Sequence, residues 1–449
     1  MQNRHRTTLL PRLGILALAG ISFAAAAAAP EITIKGGAAL SMGYIVKSSD
    51  TSTNDYNGNR MQSVGAQLLL QARMSGNLLI STGVGITERH FPAGNIGNAG
   101  GRTPFTWTPY LVDADFNYSW WNSGDATLNL TGGYFPYSYN PDVKNLGLYL
   151  TRGPVYPGIL VSGFETKHTR PVANTLGLRL NHRSGAFEQD LVLNSETETF
   201  PIFDISPIYV ATFKFGSAFR LGAGANFQHL ISVDSRLTSP DTLEANGGDD
   251  AGDGNPLKRT NIYVDTIAHD TTFMSFAGTK VMAFLSFDPK AWFSSEALGA
   301  EDLKVYAEVA VLGLSTTKAY NALYGDLKNR MPIMAGFNIP AFKLLDHLSL
   351  EVEWYDSRVK DDLTRFQPST GNFYSPIPVA NEAKLDLAKD DLKWSLHAER
   401  KIGQIRVSAQ VANDHSRPGG TLTSRASEWQ AFFVDTKDWY WMAKVGFFF

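Results

Sequence analysis

Apolar and polar residues alternate along the chain from residue 31 onward, and this period of two constrains the fold more than any other feature of the sequence. In residues 63–74, for example, apolar side chains occupy every second position, and only Leu69 breaks the pattern. Because successive side chains of a β-strand point to opposite faces, the pattern predicts strands with one apolar and one polar face. We predict about sixteen strands, within a range of 14–18, at residues 32–46, 63–74, 77–90, 106–120, 125–137, 174–183, 187–197, 205–216, 218–233, 272–288, 303–314, 330–339, 347–357, 391–401, 404–414 and 431–449.

The links between these strands are alternately short and long. Short links follow the even-numbered strands, and two of them, after the tenth and twelfth strands, are somewhat longer. Long polar links follow every odd-numbered strand except the seventh, at residues 47–60, 91–105, 138–173, 234–271, 315–329, 358–390 and 415–430. A transmembrane barrel has short turns at its periplasmic rim and long loops outside, whereas a soluble sandwich has no reason to sort its links in this way. The sequence therefore predicts an all-β, single-chain transmembrane antiparallel β-barrel with short periplasmic turns and long extracellular loops.

The first part of the chain has the pattern of a signal peptide. Three arginines precede an apolar run at 13–26, and alanines follow it. This predicts a signal peptide at 1–29, with an undetermined cleavage position, and a barrel at 30–449. The absence of Cys excludes a disulfide scaffold, a thiolate metal site and a lipid-modified cysteine. A net charge of −3 does not indicate a surface that binds nucleic acid.

One face of each strand is almost free of charge, which a lipid-facing surface requires. On the fourth strand we expect Tyr110, Val112, Ala114, Phe116, Tyr118 and Trp120 to face outward, opposite Asp113 and Asp115. A charge near the middle of the bilayer would cost about 2–4 kcal/mol, so its near-absence on many strands is informative. A soluble exported β-protein, such as a carbohydrate-binding protein, is the competing interpretation.

The last strand carries a second signal. Trp441, Ala443, Val445, Phe447 and the terminal Phe449 share one face. In this respect the chain resembles Gram-negative outer-membrane β-barrel proteins, whose last strand ends in an aromatic residue. The resemblance covers residues 31–449 by architecture and end signal only. It implies a location in the bacterial outer membrane, contact with outer-membrane lipid, and recognition of Trp441, Val445, Phe447 and Phe449 by the β-barrel assembly machinery.

The resemblance further points to a porin, because barrels of sixteen to eighteen strands leave an aqueous channel. In porins the third outer loop folds inward and narrows the pore. That loop corresponds here to residues 138–173, which combine charged residues with an apolar stretch at 146–150. Alternatively, the loop contributes a strand pair near 159–164, which would give eighteen strands. The family also implies a homotrimer.

The predicted function is passive diffusion of small hydrophilic solutes. Nine basic and eight acidic residues lie on the polar, lumen-facing side of the predicted strands. This count shows neither the excess of basic residues typical of a phosphate-selective pore nor the excess of carboxylates typical of a cation-selective one. The alternative function is that of an adhesin or structural surface anchor without a conducting pore. The candidate residues for the pore lining and constriction are Arg73, Asp113, Asp115, Asp142, Lys144, Arg152, Arg179, Arg220, Lys280, Glu308, Glu351 and Glu353.

The sequence contains no common catalytic signature, neither a nucleophile elbow nor a zinc-protease motif nor a phosphate-binding glycine loop. We therefore expect no enzymatic activity, no cofactor and no metal site. His182 and His397 are interpreted as polar positions of the lumen wall. Three aspartates within 247–254 lack the spacing of an EF-hand and are interpreted as a solvated acidic loop.

Overall fold

A computed structural model describes residues 30–49, 57–74, 76–90, 107–151, 173–196, 203–228, 230–231, 262–265, 270–273, 278–314, 327–356, 391–413 and 435–449. The predicted signal peptide at 1–29, Arg152, the alternative strand pair near 159–164 and the acidic loop at 247–254 lie outside the described residues. Within the described residues, no helix has the length and apolar character needed to cross a membrane.

Sixteen of the described strands form a closed antiparallel barrel, as the alternation predicted. The strands are β1 (Glu31–Lys47), β2 (Arg60–Arg73), β3 (Leu78–His90), β4 (Thr108–Ser123), β5 (Ala126–Tyr137), β6 (Ala173–Ser184), β7 (Phe187–Ser195), β8 (Ile205–Phe215), β9 (Phe219–Gln228), β10 (Ile262–Asp265), β11 (Asp270–Phe273), β12 (Gly278–Phe287), β13 (Val305–Val311), β14 (Ile333–Asn338), β15 (His347–Trp354), β16 (Leu392–Ile402), β17 (Ile405–Ala412) and β18 (Trp439–Phe448). Strands β10 and β11, which the sequence did not predict as a pair, form a separate hairpin.

The barrel follows chain order, and the first and last strands close it. Each strand pairs with its neighbour along the chain, β9 pairs with β12 across the separate hairpin, and β1 pairs with β18. Closure pairs all the strand edges, which is the condition for burying a sheet in lipid. The links β4–β5, β6–β7, β8–β9 and β16–β17 are tight turns at one end of the barrel. Each contains a glycine with a left-handed φ of 54–60°, a conformation that glycine adopts without steric cost, at Gly124, Gly185, Gly216 and Gly403.

Apolar side chains cover the outside of the barrel, and the inside carries polar side chains together with some apolar ones. Leu40 on β1 pairs with Val445 on β18, and these side chains are 46% and 50% exposed. The next pair, Ser41 and Lys444, has the opposite parity, and Ser41 is buried. The alternation read from the sequence therefore separates an apolar outer surface from a polar interior.

The predicted outer face of β4 is wrong in its first half. Gly83 of β3 pairs with Asp113, but the next residue, Val84, pairs with Leu111, so a bulge leaves Val112 as an extra residue. Tyr110 and Val112 are consequently buried, while Leu111 is exposed. Beyond the bulge, Phe116, Tyr118 and Trp120 are exposed as predicted.

Candidate functional site

Residues 138–151, here called the inner segment, lie inside the barrel. They follow β5 directly and hydrogen-bond to inward-facing side chains of β9, β12, β13, β15 and β16. Strand β15 stands halfway round the ring from β5, so the inner segment crosses the bore to the opposite wall. Lys144, which binds Glu351 on that wall, follows the last residue of β5, Tyr137, by seven positions, and seven residues of extended chain span at most about 25 Å.

Apolar contacts hold the inner segment against the wall. The side chains of Val143, Leu146 and Leu150 are fully buried. They belong to one apolar cluster with inward-facing residues of β12, β13 and β14, among them Met282, Phe284, Tyr306 and Met334. Gly147 and Leu148 have left-handed backbone conformations, with φ of 81° and 61°, and turn the chain within this cluster. The apolar stretch at 146–150 is thus removed from water, which its composition favours.

Glu308 on β13 accepts hydrogen bonds from three groups of the inner segment. Tyr139 Oη donates to Oε1 at 2.6 Å, and the backbone N–H of Tyr149 donates to the same oxygen at 2.9 Å. Asn140 Nδ2 donates to Oε2 at 3.0 Å. Burial and the neighbouring Glu308 carboxylate raise the pKa of the Tyr139 phenol well above its ordinary value, so Tyr139 remains a neutral donor.

Glu351 on β15 binds the backbone of the inner segment. Its Oε1 accepts from the N–H of Lys144 at 2.6 Å, and its Oε2 accepts from the N–H groups of Asn145 and Leu146, each at 2.8 Å. Tyr306 Oη on β13 donates to Oε1 at 2.9 Å. Three successive N–H groups converging on one carboxylate form an anion-binding nest, here filled by a side chain of the wall.

Groups on the β9–β12 side of the wall bind the carbonyl oxygens of the inner segment. Lys280 Nζ, which is fully buried, donates to Tyr149 O at 3.0 Å. Arg220 Nη2 donates to Tyr139 O at 2.9 Å, and Asn226 Nδ2 donates to Leu150 O at 2.7 Å. The wall therefore presents acceptors where the inner segment offers N–H groups and donors where it offers C=O groups.

A cavity of about 530 Å³ lies between the start of the inner segment and the wall formed by β6–β9, β12 and the residue preceding β13. Five cationic and four anionic side chains line it, namely Arg179, Arg183, Lys214, Arg220, Lys304, Asp142, Glu188, Asp190 and Asp288.

The charges around the cavity are paired. Arg179 binds Asp190 through two contacts, Nε to Oδ1 at 2.8 Å and Nη2 to Oδ2 at 3.0 Å. Asp142, on the inner segment, lies 3.9 Å from both Arg220 Nη1 and Lys304 Nζ. Burial alone would lower the pKa of Lys304, but the hydrogen bond and charge of Glu301, together with Asp142, raise it above its ordinary value.

Most of the predicted site residues meet at the inner segment. Those in contact with it or belonging to it are Asp142, Lys144, Arg220, Lys280, Glu308, Glu351 and Glu353. Arg179 lines the cavity, Asp113 and Asp115 lie on β4, and Arg73 is the exposed last residue of β2. The three glutamates are buried, and each accepts a hydrogen bond from the inner segment.

Sequence reasoning missed the tyrosines of this site. Tyr139 and Tyr149 lie on the inner segment and reach Glu308 and Glu353, the latter through Tyr149 Oη at 2.8 Å. Tyr306 shares the inward parity of Glu308 on β13, so alternation alone could have placed it in the lumen.

The predicted assembly signal lies on the outer surface of β18. Trp441, Val445, Phe447 and Phe449 are 41–57% exposed. Their common face is the one that the alternation assigned to them.

No protein-family model and no curated protein matches the chain. Several solved structures resemble it in fold. A structure of engineered proteins with asymmetric conductivity is 9% identical, with 93% of this chain and 100% of that chain covered and a TM-score of 0.44. A doubly substituted Rh. blastica porin is 10% identical, with the same coverage and a TM-score of 0.44. A triple mutant of the Rhodopseudomonas blastica porin is 10% identical, again with 93% and 100% coverage and a TM-score of 0.43. The strand pairing of the chain itself shows a closed barrel of sixteen antiparallel strands.

Proposed function

We propose that this protein is an outer-membrane porin, a passive diffusion channel for small hydrophilic solutes. The observation that carries the proposal is the inner segment, which crosses the bore, binds the opposite wall and borders a charged cavity of about 530 Å³. A segment held in this position narrows the lumen without being part of the barrel wall. Residues 138–151, together with Ala173 at the start of β6, are the described part of the predicted constriction loop at 138–173.

The surface of the barrel supports a membrane location. Large apolar side chains such as Leu40, Leu68 and Val445 are exposed on the outside, at 44–50%, where water would be an unfavourable neighbour. The closed ring leaves no strand edge among the sixteen strands, so the barrel backbone can be surrounded by lipid. At the end with the tight turns, Phe219, Phe287 and Trp292 form an aromatic cluster, as in the interfacial girdles of membrane barrels.

Selectivity in the proposed channel comes from the width of the bore and from the charges that line the cavity. Asp142 on the inner segment is paired with Arg220 and Lys304 on the wall. A passing solute would meet a lining of nearly balanced charge, which favours weak selectivity between anions and cations.

Several further expectations belong to this proposal. Assembly through Trp441, Val445, Phe447 and Phe449, contact with outer-membrane lipid, a homotrimeric state and removal of residues 1–29 on export all stay predictions. They follow from the resemblance and from the export pattern of the sequence.

Single-channel recording tests the function directly. Purified protein added to a planar lipid bilayer should give stepwise increases in conductance, and a salt gradient should give a small reversal potential. Folding is checked beforehand by β-type circular dichroism and by the shift in electrophoretic mobility on heating. Folded barrels that insert and never conduct would contradict the porin function and favour a structural or adhesive role.

A further inference from the structure

Two histidines and a glutamate come together on the inner wall. His347 is the first residue of β15, while His397 and Glu399 lie on β16. The strand register places His347 directly opposite Glu399 and places His397 opposite Ser349, two residues further along β15. The imidazole rings stack with 5.2 Å between their centroids and an angle of 13° between their planes. Potential ligand atoms of the three residues all lie within 4.8 Å of one another.

Each of the three side chains has a buried polar atom that lacks a hydrogen-bond partner. These atoms are Nε2 of His347, Nε2 of His397 and Oε2 of Glu399. The side chains themselves are only 7%, 5% and 9% exposed. Burying a polar atom without a hydrogen-bond partner costs free energy, and three such atoms at one place indicate that a ligand binds there.

Hydrogen bonds to neighbouring side chains leave these atoms available to a metal ion. Gln410 Nε2 donates to Tyr440 Oη at 2.6 Å, so the amide oxygen of Gln410 is left to accept from Nδ1 of His397 at 3.2 Å. With its proton on Nδ1, His397 has a lone pair on Nε2. This is the arrangement in which a second residue fixes the tautomer of a metal-binding histidine. Glu399 is oriented by Arg406, whose Nε lies 3.5 Å from Oε1, and its Oε2 stays available.

A purely structural role explains this cluster poorly. Two inward positions paired with the cluster are serines, Ser349 opposite His397 and Ser408 opposite Glu399, and serine suffices for a polar wall.

We propose that His347, His397 and Glu399 form a binding site for a divalent transition-metal ion of the zinc type on the lumenal wall. Two imidazole nitrogens and one carboxylate oxygen are a common zinc ligand set that leaves a fourth position open. Ligands about 2.1 Å from one ion lie about 3.4 Å apart at the tetrahedral angle, so small side-chain rotations would bring the three atoms into place. The site goes beyond the proposed diffusion function and does not depend on it.

Binding is measured with the whole folded protein in detergent, with Zn²⁺ as the titrant in calorimetry and Co²⁺ as a spectroscopic probe. We expect one tight site per chain and visible Co²⁺ absorption that Zn²⁺ displaces. His347→Asn, His397→Asn and Glu399→Gln should each weaken Zn²⁺ binding by about 100-fold or more, and Gln410→Leu by about 10- to 100-fold, since it removes only the orienting partner. His182→Asn is the matched control, because it removes a histidine of β6 outside the cluster, and it should leave the affinity unchanged.

X-ray absorption of the zinc-loaded wild-type protein keeps the proposal testable even if a variant fails to fold. We expect two imidazole nitrogens and carboxylate oxygen at about 2.0–2.2 Å from the ion. Absence of binding to the folded wild type, a spectrum with no imidazole, or affinity unchanged in both histidine variants would overturn the site. None of these measurements requires conduction, so failure of the metal site and failure of the channel function are separate outcomes.

Discussion

The backbone N–H of Lys144 donates to Oε1 of Glu351 at 2.6 Å, and this bond joins residues 207 positions apart in the sequence. It links the inner segment, which leaves β5, to a strand halfway round the ring. Because Asn145 and Leu146 bind the other oxygen of the same carboxylate, a single side chain holds three successive peptide groups. The position of the inner segment in the bore therefore depends strongly on Glu351.

Replacing Glu351 should release the inner segment. Glu351→Ala leaves three N–H groups and the Tyr306 hydroxyl without their acceptor, and each unpaired buried group costs about 1–3 kcal/mol. We expect a lower free energy of unfolding, measured by urea titration in lipid vesicles, and larger, noisier single-channel currents. Glu296→Ala, at an exposed glutamate between β12 and β13, is the control and should change neither quantity. A variant with wild-type stability and currents would show that the apolar contacts suffice to hold the segment.

Neutralising substitutions at Asp142 and Arg220 should shift the ion preference of the proposed channel in opposite directions. Each group faces the cavity, and Asp142 lies 3.9 Å from Arg220 Nη1. Asp142→Asn leaves the cations in excess and should favour anions, whereas Arg220→Gln should favour cations. A unit charge about 4 Å from an ion is worth about 1 kcal/mol in water, which corresponds to about a fivefold change in permeability ratio. Reversal potentials in a salt gradient measure the change.

Arg73→Gln provides the control for this pair. Arg73 carries the same charge but is the exposed last residue of β2, outside the cavity lining. It should leave the reversal potential close to that of the wild type. A shift in Arg73→Gln equal to that in Arg220→Gln would mean that net charge, and not the cavity, determines the ion preference.

Much of the fold could be predicted from the sequence because hydrophobic alternation is a local property. All sixteen predicted strands are present, and Leu40 and Val445 lie outside as their parity indicated. The bulge at Val112 could not be predicted, since it depends on packing across the strand pair. The ring of Tyr110 lies against Gly85 of β3, where a Cβ would overlap it. A one-residue insertion of this kind reverses the faces of the side chains on one side of it, here those that precede Val112.

The site was predictable in part for a related reason. Parity placed Glu308, Glu351 and Glu353 inside the barrel, but it could not show that segment 138–151 would occupy their oxygens. His347 and His397 are 50 positions apart in the chain, and only the register of β15 against β16 brings them together. Contacts at such separation are set by tertiary structure and leave no periodic trace in the sequence.

Gly133 on β5 is predicted to be essential for barrel stability. Its φ is 118°, and a Cβ there would overlap the carbonyl oxygen of Ala114 on β4. Gly133→Ala adds both backbone strain and a clash within the sheet, so we expect a loss of at least about 2 kcal/mol in the free energy of unfolding. Gly76→Ala is the matched control, because nothing lies within 4 Å of a Cβ at that position. Urea unfolding measures the free energy of unfolding of both variants, and equal values would contradict the strain argument.

The stability of the barrel should decrease at alkaline pH through Tyr139. Burial, the charge of Glu308 and the hydrogen bond to it raise the pKa of this phenol in the folded protein. When the pKa of a group is higher in the folded than in the unfolded protein, the group contributes its full stabilisation below the unfolded pKa, which is about 10 for tyrosine. This contribution is lost as the pH rises towards the folded pKa. Tyr139→Phe removes the ionisable proton together with the hydrogen bond. The variant should therefore be less stable at pH 8, and its stability should fall less steeply than that of the wild type above pH 10.

Tyr118→Phe, at an exposed position on β4, should keep the wild-type slope. Unfolding midpoints between pH 8 and 12 measure both slopes, and parallel curves for Tyr139→Phe and the wild type would exclude Tyr139 as a source of the alkaline instability.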